Sequence, residues 1–296
     1  MPQALSLYEL NSLVRETIET TLRGEYWVEA ELSEYRENRG HCYMELIQKD
    51  DNSAMLLARA AAKCWRSTWQ TIKPYFIRVT GQELHAGMKV MLKVYPQFHE
   101  QYGFSWIVTD INPEFTLGDM ARKRQEIIRQ LKEEGVFDLQ KDLRIPMFAQ
   151  RIAVISSATA AGYGDFCNQL ADNSLHLIFH TELFASTMQG EHVEQSVIAA
   201  LNMINDRADD FDVVVIIRGG GGTSDFSGFD TLALAENVAN FPLPIITGIG
   251  HDRDECILDM VSNTRVKTPT AAAAFLVDNL AATYDAVADA EKRIAS

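Results

Sequence analysis

Apolar residues recur at helical spacing near the start of the chain. Leucines, a valine and an isoleucine lie every three or four positions between residues 7 and 22, so that one face of a helix would be apolar. Ser6 and Glu9 form a capping-box pattern directly before and within this run. The sequence therefore predicts an amphipathic N-terminal helix within residues 1–23.

Between residues 24 and 115 the pattern changes to short runs in which apolar and polar residues alternate, as in half-buried strands. Residues 61–71 interrupt these runs with a helical pattern. Five strands in about 90 residues, with one helical insert, favour a small Greek-key barrel of the OB type. The predicted strands cover residues 26–32, 41–48, 54–60, 89–95 and 105–111.

The second half of the chain alternates strand-like apolar runs with helical patterns, which predicts a doubly wound parallel sheet. The predicted strands are residues 152–157, 176–184, 212–217 and 243–249. A basic helix over residues 120–134, with Thr116 and Asp119 at its start, and an irregular linker over 136–150 precede them. After Thr270 the chain is alanine-rich and helical in pattern up to Ser296.

These patterns together predict a multidomain protein of the α/β plus all-β class. An OB-fold barrel comes first, followed by a parallel-sheet α/β domain and the start of a long C-terminal helix. The predicted divisions are residues 1–23 for the N-terminal helix, 24–115 for the barrel, 116–150 for the connecting helix and linker, 151–277 for the α/β domain and 278–296 for the C-terminal helical region.

Charge is distributed unevenly between the two halves. The chain has a net charge of −14, which argues against a protein that coats nucleic acid indiscriminately. Residues 1–151 carry 20 of the 27 Lys and Arg and 21 of the 41 Asp and Glu, so that this half is close to neutral. Any nucleic-acid binding site is therefore expected in the first half of the chain.

The cysteine pattern and the hydropathy of the chain bear on its compartment. The four cysteines are scattered, without a CxxC motif or a close Cys/His pair. We therefore expect reduced thiols and no structural zinc site. No apolar run approaches the roughly 20 residues of a membrane-spanning helix, and the first residues lack a secretory pattern. We therefore expect a cytoplasmic protein.

Three strand-like runs end on groups that carry chemistry. One is followed by a small-residue loop containing Asp165, the next by Arg218 and four glycines, and the last by Gly250 and His251. Ligand-binding and catalytic side chains collect at the carboxyl ends of parallel strands. An imidazole, a guanidinium and carboxylates beside bare backbone amides suit phosphodiester hydrolysis.

His251 is the candidate general base, and Asp254 three residues later can orient the imidazole, bind a metal ion or cap a helix. Arg218 and the amides of the following glycines form a candidate phosphate site, although neither a Walker lysine nor GxGxxG spacing is present. The phosphate-site glycines are Gly219, Gly220 and Gly221.

An N-cap is the alternative role for Asp165. Asp225 and Asp230 are interpreted as a cap and surface groups, and Asp259, Arg265 and Thr268 stay open between structure and function.

Aromatic and basic residues are interleaved in the barrel, as binders of single strands require for base stacking and for the backbone charge. A single ring of this kind is more often part of a core, but Tyr35, Arg36 and Arg39 lie in a predicted polar loop. The candidate DNA-binding residues are Tyr35, Arg36, Arg39, Tyr43, Tyr102 and Trp106.

The order and spacing of several motifs resemble one family. WVEAELSEYR and GHCYMEL in the barrel, the FTLGD junction, and then RIAVISSATAAGYGDF, RGGGGTSDFSGFD, GIGHDRDECILD and RVKTPTAAAA resemble the large subunit of bacterial exodeoxyribonuclease VII. The resemblance covers nearly the whole chain. The sequence departs from the usual family pattern at Gly164, where arginine is common, at Asp252 and Arg253, and at Ser224 with Asp225.

The resemblance implies an OB-fold DNA-binding domain, a catalytic α/β domain, and a C-terminal helical region, largely absent from this sequence, that recruits several copies of a small subunit. It implies hydrolysis of single-stranded DNA from both ends into oligonucleotides, in DNA catabolism and repair. The catalytic residues it implies are Asp165, Arg218, His251 and Asp254. The resemblance implies that no cofactor is strictly required. If Mg²⁺ is bound, Asp165 and Asp254 are its predicted ligands.

Two other functions fit parts of the sequence. A non-catalytic single-strand binding module would leave unexplained why a histidine, an arginine and an aspartate gather at strand ends. A nucleotide-dependent enzyme would use the glycine run for a cofactor phosphate, but the absent Walker lysine weakens that interpretation.

Overall fold

The chain divides into two compact units in the computed structural model, residues 1–122 and residues 123–296. The structure describes residues 4–50, 53, 55–190, 192–219, 226–250 and 255–295. None of the helices in these residues combines the length and the hydropathy that a bilayer-spanning segment needs.

The first unit contains a closed five-stranded barrel with strand order β1-β2-β3-β5-β4, which confirms the predicted OB fold. Its neighbouring strands are antiparallel except for β3 and β5, which pair in parallel. The capping box of Ser6 and Glu9 is present at the first helix. The elements are α1 (Leu7–Thr21), β1 (Tyr26–Asn38), β2 (His41–Lys49), β3 (Leu56–Cys64), α2 (Arg66–Thr80), β4 (Lys89–His99) and β5 (Gly103–Asn112).

The predicted helical insert over residues 61–71 is wrong at its start, because residues 61–64 complete β3 and α2 begins only at Arg66. The run of alanines has high helix propensity, but Ala62 and Cys64 point into the barrel and are 1% and 0% exposed. The period-two burial of these residues against β2 overrides the local preference.

The predicted polar loop is also wrong, because Tyr35 and Arg36 lie inside β1. The chain turns only at Arg39 and Gly40, which both have positive φ, 50° and 82°. Tyr35 and Arg36 consequently point to opposite faces of the strand, since side chains alternate along it.

One face of α2 helps to fill the barrel. Trp69 and Phe76 are 3% and 1% exposed and belong to the same buried cluster as the inward residues of the strands. Full burial of a side chain such as Phe76 stabilises the fold by about 1.5–3 kcal/mol. The first unit therefore has a hydrophobic core of its own.

The helix after the barrel, α3 (Pro113–Glu133), begins earlier than predicted. The side chain of Asn112 accepts hydrogen bonds from the backbone amides of Glu114 and Phe115 at 3.1 and 3.3 Å, and Pro113 is a favourable first helical residue. Thr116 does not cap the helix: its hydroxyl donates to the carbonyl of Lys89 at 3.0 Å.

The second unit contains a five-stranded sheet in the order β10-β9-β8-β6-β7, whose strand pairs are all parallel, as predicted. The predicted strands are confirmed with shifted ends, and the two-residue β10 was not foreseen. The elements are α4 (Leu139–Asp142), β6 (Arg151–Ser156), α5 (Ala161–Ala171), β7 (His180–Ala185), α6 (Val193–Asn205), β8 (Val213–Ile217), α7 (Leu232–Ala239), β9 (Ile245–Gly248), α8 (Ile257–Val261), β10 (Thr264–Arg265) and α9 (Pro269–Ala295).

Both faces of this sheet are buried. In β8, Val213, Val215 and Ile217 pack with residues of α5 and α9, whereas Val214 and Ile216 pack with residues of α6, α7 and α8. A strand covered on both sides reads as a continuous apolar run, which is the pattern that the sequence shows here.

The predicted irregular linker contains the short helix α4, and one of its side chains fixes it to the sheet. Gln140 is fully buried; its amide nitrogen donates to the carbonyls of Phe241 and Leu243, and its amide oxygen accepts from the backbone of Ile245 at 2.9 Å. The linker is thereby held against the start of β9.

Candidate active site

The chain leaves β8 and β9 side by side. Ile217 is opposite Gly248 in the parallel register, and the backbone amide of Arg218 donates to the carbonyl of Gly248 at 3.3 Å. The segments that follow these strands therefore begin next to each other at the carboxyl edge of the sheet. Of the predicted site residues, Gly220, Gly221, His251 and Asp254 lie outside the described residues.

Close backbone contact brings the start of α5 to the end of β8. A Cβ atom on Gly162 would lie 2.9 Å from the Cα of Gly219 and 2.9 Å from the Cγ of Pro269. A Cβ on Gly219 would lie 2.6 Å from the Cβ of Ala160. Because such separations are too short for carbon atoms, both positions depend on glycine for the approach. The phosphate-site glycine that the structure describes is thus packed against the first turn of a helix.

Asp165 lies inside α5, so the prediction that it belongs to a loop is wrong. The N-cap of this helix is Ala160, which also excludes the alternative of Asp165 as an N-cap. Asp165 is exposed and lies about one turn beyond Gly162, the residue that touches Gly219. The carboxylate therefore belongs to the helix that borders the end of β8.

Arg218 is a buried cation at the end of β8. It is 7% exposed, and its guanidinium carbon lies 5.1 Å from the centre of the Phe226 ring. Stacking of this kind orients the flat guanidinium, which keeps its charge at any physiological pH. An oriented, permanently charged fork with five N–H donors is suited to bind a phosphate group.

A group of four charged residues surrounds the chain at residues 255–257, directly after the segment that carries His251 and Asp254. Asp230 accepts a hydrogen bond from the backbone amide of Ile257 at 2.6 Å, and Asp259 accepts one from the amide of Cys256 at 3.4 Å. Arg124 donates to the carbonyl of Glu255. The fourth, Arg265, places its Nε 3.7 Å from Asp259 Oδ2.

Burial alters the acidity of both carboxyl groups in this group. It raises the pKa of Asp230, although the amide of Ile257 and the charge of Arg124 act in the opposite direction. Burial likewise raises the pKa of Asp259, opposed by hydrogen bonds from Thr247 and Cys256. The interpretation of Asp230 as a surface group or cap missed this tertiary contact. Its distance of 27 positions from Ile257 left no local signal.

The candidate DNA-binding residues of the barrel divide by exposure. Arg36 and Arg39 are exposed, and Tyr102 is 68% exposed with its ring 4.8 Å from that of His99. Tyr43 lies under Arg36, whose guanidinium carbon is 5.5 Å from the ring centre.

The other two candidates, Tyr35 and Trp106, are partly buried and pack against the barrel core. The Tyr35 ring lies 6.0 Å from that of Trp69, and its hydroxyl donates to the carboxylate of Glu37. The Trp106 ring is 5.1 Å from that of Phe104 in an edge-to-face arrangement. Both rings thus take part in packing.

The outer face of β1, β2 and β3 carries a row of cations and rings that we call the outer row. Arg36 lies opposite Tyr43, and Tyr43 lies opposite Lys63. Next to them, the rings of His41 and Trp65 meet edge to face at 5.4 Å. Lys63 and Trp65 were not predicted as site residues, because the sequence suggested a helix where Lys63 extends β3.

Among the residues for which the structure gives positions, no three His, Cys, Asp or Glu side chains come together as ligands of a metal ion.

Comparison with known proteins gives the same division into two parts. A family model described as "Exonuclease VII, large subunit" matches residues 136–296, and one described as "OB-fold nucleic acid binding domain" matches residues 5–112. The exodeoxyribonuclease 7 large subunit of Deinococcus radiodurans is 36% identical over 284 residues, which cover 93% of this chain and 67% of that protein.

Two further relatives with the same name are similar over nearly the whole chain. The protein of Nostoc sp. is 32% identical over 94% of this chain and 64% of its own length. The protein of Shewanella loihica is 32% identical over 96% of this chain and 59% of its own length. The chain thus spans about two-thirds or less of the length of these curated relatives.

Proposed function

Because the chain belongs to the exonuclease VII large-subunit family, we propose that it hydrolyses phosphodiester bonds of single-stranded DNA from both ends and releases oligonucleotides. The family is one of nucleases, and an OB-fold nucleic-acid-binding domain precedes the family domain in this chain. The observation that supports the proposal best is the pairing of the ends of β8 and β9, from which the arginine–glycine and histidine segments start side by side.

In the proposed reaction, charge and proton transfer are divided between the two segments. His251 activates water or protonates the leaving oxygen, and Asp254 fixes the tautomer of the imidazole. Arg218 and the amides of Gly219, Gly220 and Gly221 stabilise the negative charge that develops on the phosphate. Asp165 supplies a carboxylate from α5, the helix whose first turn touches Gly219.

We propose that this chemistry does not strictly require a metal ion. Asp165 and Asp254 are the carboxylates that would hold Mg²⁺ if one is bound, and Mg²⁺ would then supply additional charge stabilisation. Two carboxylates at most are too few for a convincing two-metal site, which favours the metal-independent route through Arg218.

The barrel would hold the DNA strand on its outer row. The stacked Arg36 and Tyr43, together with Lys63, offer a ring for a base and cations for the phosphates. Exposed Arg39 and Tyr102 extend the charged and aromatic surface. In this arrangement Tyr35 and Trp106 support the barrel wall from within.

The proposed partner is the small subunit of exodeoxyribonuclease VII, in several copies. Along α9, Leu276 and Leu280 are fully buried, whereas Tyr284, Val287 and Ile294 are 60%, 40% and 86% exposed. We take this change as the point at which a helical region for subunit binding begins.

The four cysteines are free thiols, which agrees with the proposed cytoplasmic location.

The proposed activity is tested with the complete large subunit, produced together with the small subunit, on DNA labelled at the 5′ or the 3′ end. We expect short labelled oligonucleotides from either end of single strands, little cleavage of blunt duplex, and retention of activity in EDTA. A protein that binds single strands and cleaves none would be a binding module. Activity that disappears in EDTA and returns with Mg²⁺ would assign the carboxylates to a metal site.

Substitutions in the outer row test the proposed DNA contact. We expect Arg36→Ala and Lys63→Ala each to weaken binding of single-stranded DNA and to lower its dependence on salt by about one unit of slope, since each removes about one phosphate contact. Arg78→Ala is the matched control, because Arg78 also stacks on a ring, that of Tyr75 at 5.6 Å, but on α2. Equal losses in all three variants, measured by fluorescence anisotropy at several salt concentrations, would exclude the outer row as the contact.

A further inference from the structure

The hydrogen bond between Asp230 and Ile257 joins the chain that follows the glycine run to the chain that follows the histidine segment. Asp230 lies just after the segment that carries the glycine run, and Ile257 lies just after the segment that carries His251 and Asp254. We infer that Asp230 is a positioning residue for the reaction, because its carboxylate holds the chain immediately after the histidine segment in place. This inference rests on the proposed function.

Both ends of the hydrogen bond are fixed by buried neighbours. Phe229, which precedes Asp230, is fully buried, and the backbone amide of Asp230 donates to the carbonyl of Ser227 at 3.1 Å. Ile257 is itself fully buried and is the first residue of α8. The bond of 2.6 Å therefore joins two points of the chain that are each held by buried residues.

The position of residues 255–257 matters because only four residues, 251–254, separate them from Gly250. On one side, Ile249 is 6% exposed and follows β9; on the other, Cys256 is fully buried. Seven Cα–Cα steps join Ile249 to Cys256 and span at most about 25 Å when fully extended, so the positions of these two residues limit the reach of the chain between them. We expect loss of the hydrogen bond from Ile257 to Asp230 to displace residues 255–257, which follow Asp254 in the chain.

The other members of the charged group reinforce the same point of the chain. Asp259 accepts from the amide of Cys256, and Arg124 donates to the carbonyl of Glu255. Asp230 differs from them because its own segment leads back to the glycines beside Arg218. It is thus the side chain of this group that couples the placement of the histidine segment to that of the phosphate site.

A substitution series separates positioning from simple helix capping. In the complete enzyme with its small subunit, Asp230→Ala removes the acceptor, whereas Asp230→Asn keeps an oxygen in the same place. We expect Asp230→Ala to lower kcat about 10- to 100-fold, as small displacements of catalytic groups do, with KM for single-stranded DNA changed by less than about twofold. Asp230→Asn is expected to restore most of kcat.

Asp212→Ala is the matched control for loss of stability. Its carboxylate also accepts backbone hydrogen bonds, from Gln150 at 3.0 Å and Arg151 at 2.8 Å, but at the amino edge of the same sheet. We expect this variant to lose stability and keep kcat. Should Asp230→Ala fail to fold, Asp230→Glu, which moves the carboxylate by one methylene, replaces it with the same expected loss.

Hydrogen–deuterium exchange gives a readout that does not depend on cleavage. The amide of Ile257 should exchange faster in Asp230→Ala than in the unchanged protein or in Asp230→Asn. Full kcat in Asp230→Ala, an equal loss in Asp230→Asn, or an equal loss in Asp212→Ala would each overturn the inference. If the unchanged protein cleaves no DNA, the proposed function fails instead, and the exchange result still reports on the hydrogen bond.

Discussion

Replacement of His251 by alanine is expected to lower the cleavage of single-stranded DNA about a hundredfold to ten-thousandfold, the range that general acid–base catalysis supplies. Binding of the strand should stay nearly unchanged, because we assign binding to the barrel and its outer row. The measurement pairs a single-turnover cleavage rate with an anisotropy titration on the same labelled oligonucleotide.

The control for this variant is His180→Ala. His180 is an exposed histidine that begins β7, opposite Arg151 at the amino edge of the sheet. We expect it to leave both cleavage and binding unchanged. A His251→Ala protein that kept most of its activity would move the acid–base role to another group and would remove the main reason for placing chemistry after β9.

The second large effect is expected at Arg218. Arg218→Ala should lower kcat about a hundredfold to a thousandfold, because removal of one preorganised donor to a developing negative charge typically has this effect. The kcat of Arg218→Lys should lie between those of Arg218→Ala and the unchanged protein, since lysine keeps the charge but lacks the flat guanidinium that stacks over Phe226. Steady-state cleavage rates at saturating DNA measure both.

Arg207→Ala is the matched control for loss of a stacked arginine. Its guanidinium carbon lies 5.3 Å from the Phe211 ring, as Arg218 lies over Phe226, but the side chain is 46% exposed and paired with Glu182. We expect normal kcat in this variant. If Arg218→Ala and Arg207→Ala lowered kcat equally, the effect would reflect stability of the second unit rather than stabilisation of the reacting phosphate.

Local patterns predicted the order of the elements but not all of their ends. The barrel and the parallel sheet follow from period-two alternation and from continuous apolar runs, which are properties of neighbouring residues. The end of β3 was missed because an alanine-rich run favours a helix until pairing with β2 decides otherwise. The start of α3 was missed because Asn112 caps it with its side chain.

The candidate site was predictable to the extent that its residues adjoin strands. Arg218 follows β8 directly, and its prediction as a site residue rests on that position and on the glycine run after it. The prediction placed Asp165 in a loop because Gly162 and Gly164 precede it, whereas α5 contains both glycines. The contact of Asp230 with Ile257 was not predictable, because two residues 27 positions apart show no shared period in the sequence.

The close contact between the start of α5 and the end of β8 means that Gly162 and Gly164 differ in the substitutions they tolerate. Gly162 has no room for a methyl group, since Gly219 and Pro269 already occupy that space. Two residues later, a Cβ on Gly164 would meet no atom within 4 Å. A longer side chain can therefore replace the hydrogen of Gly164 during evolution without moving the backbone on which the proposed phosphate site is built.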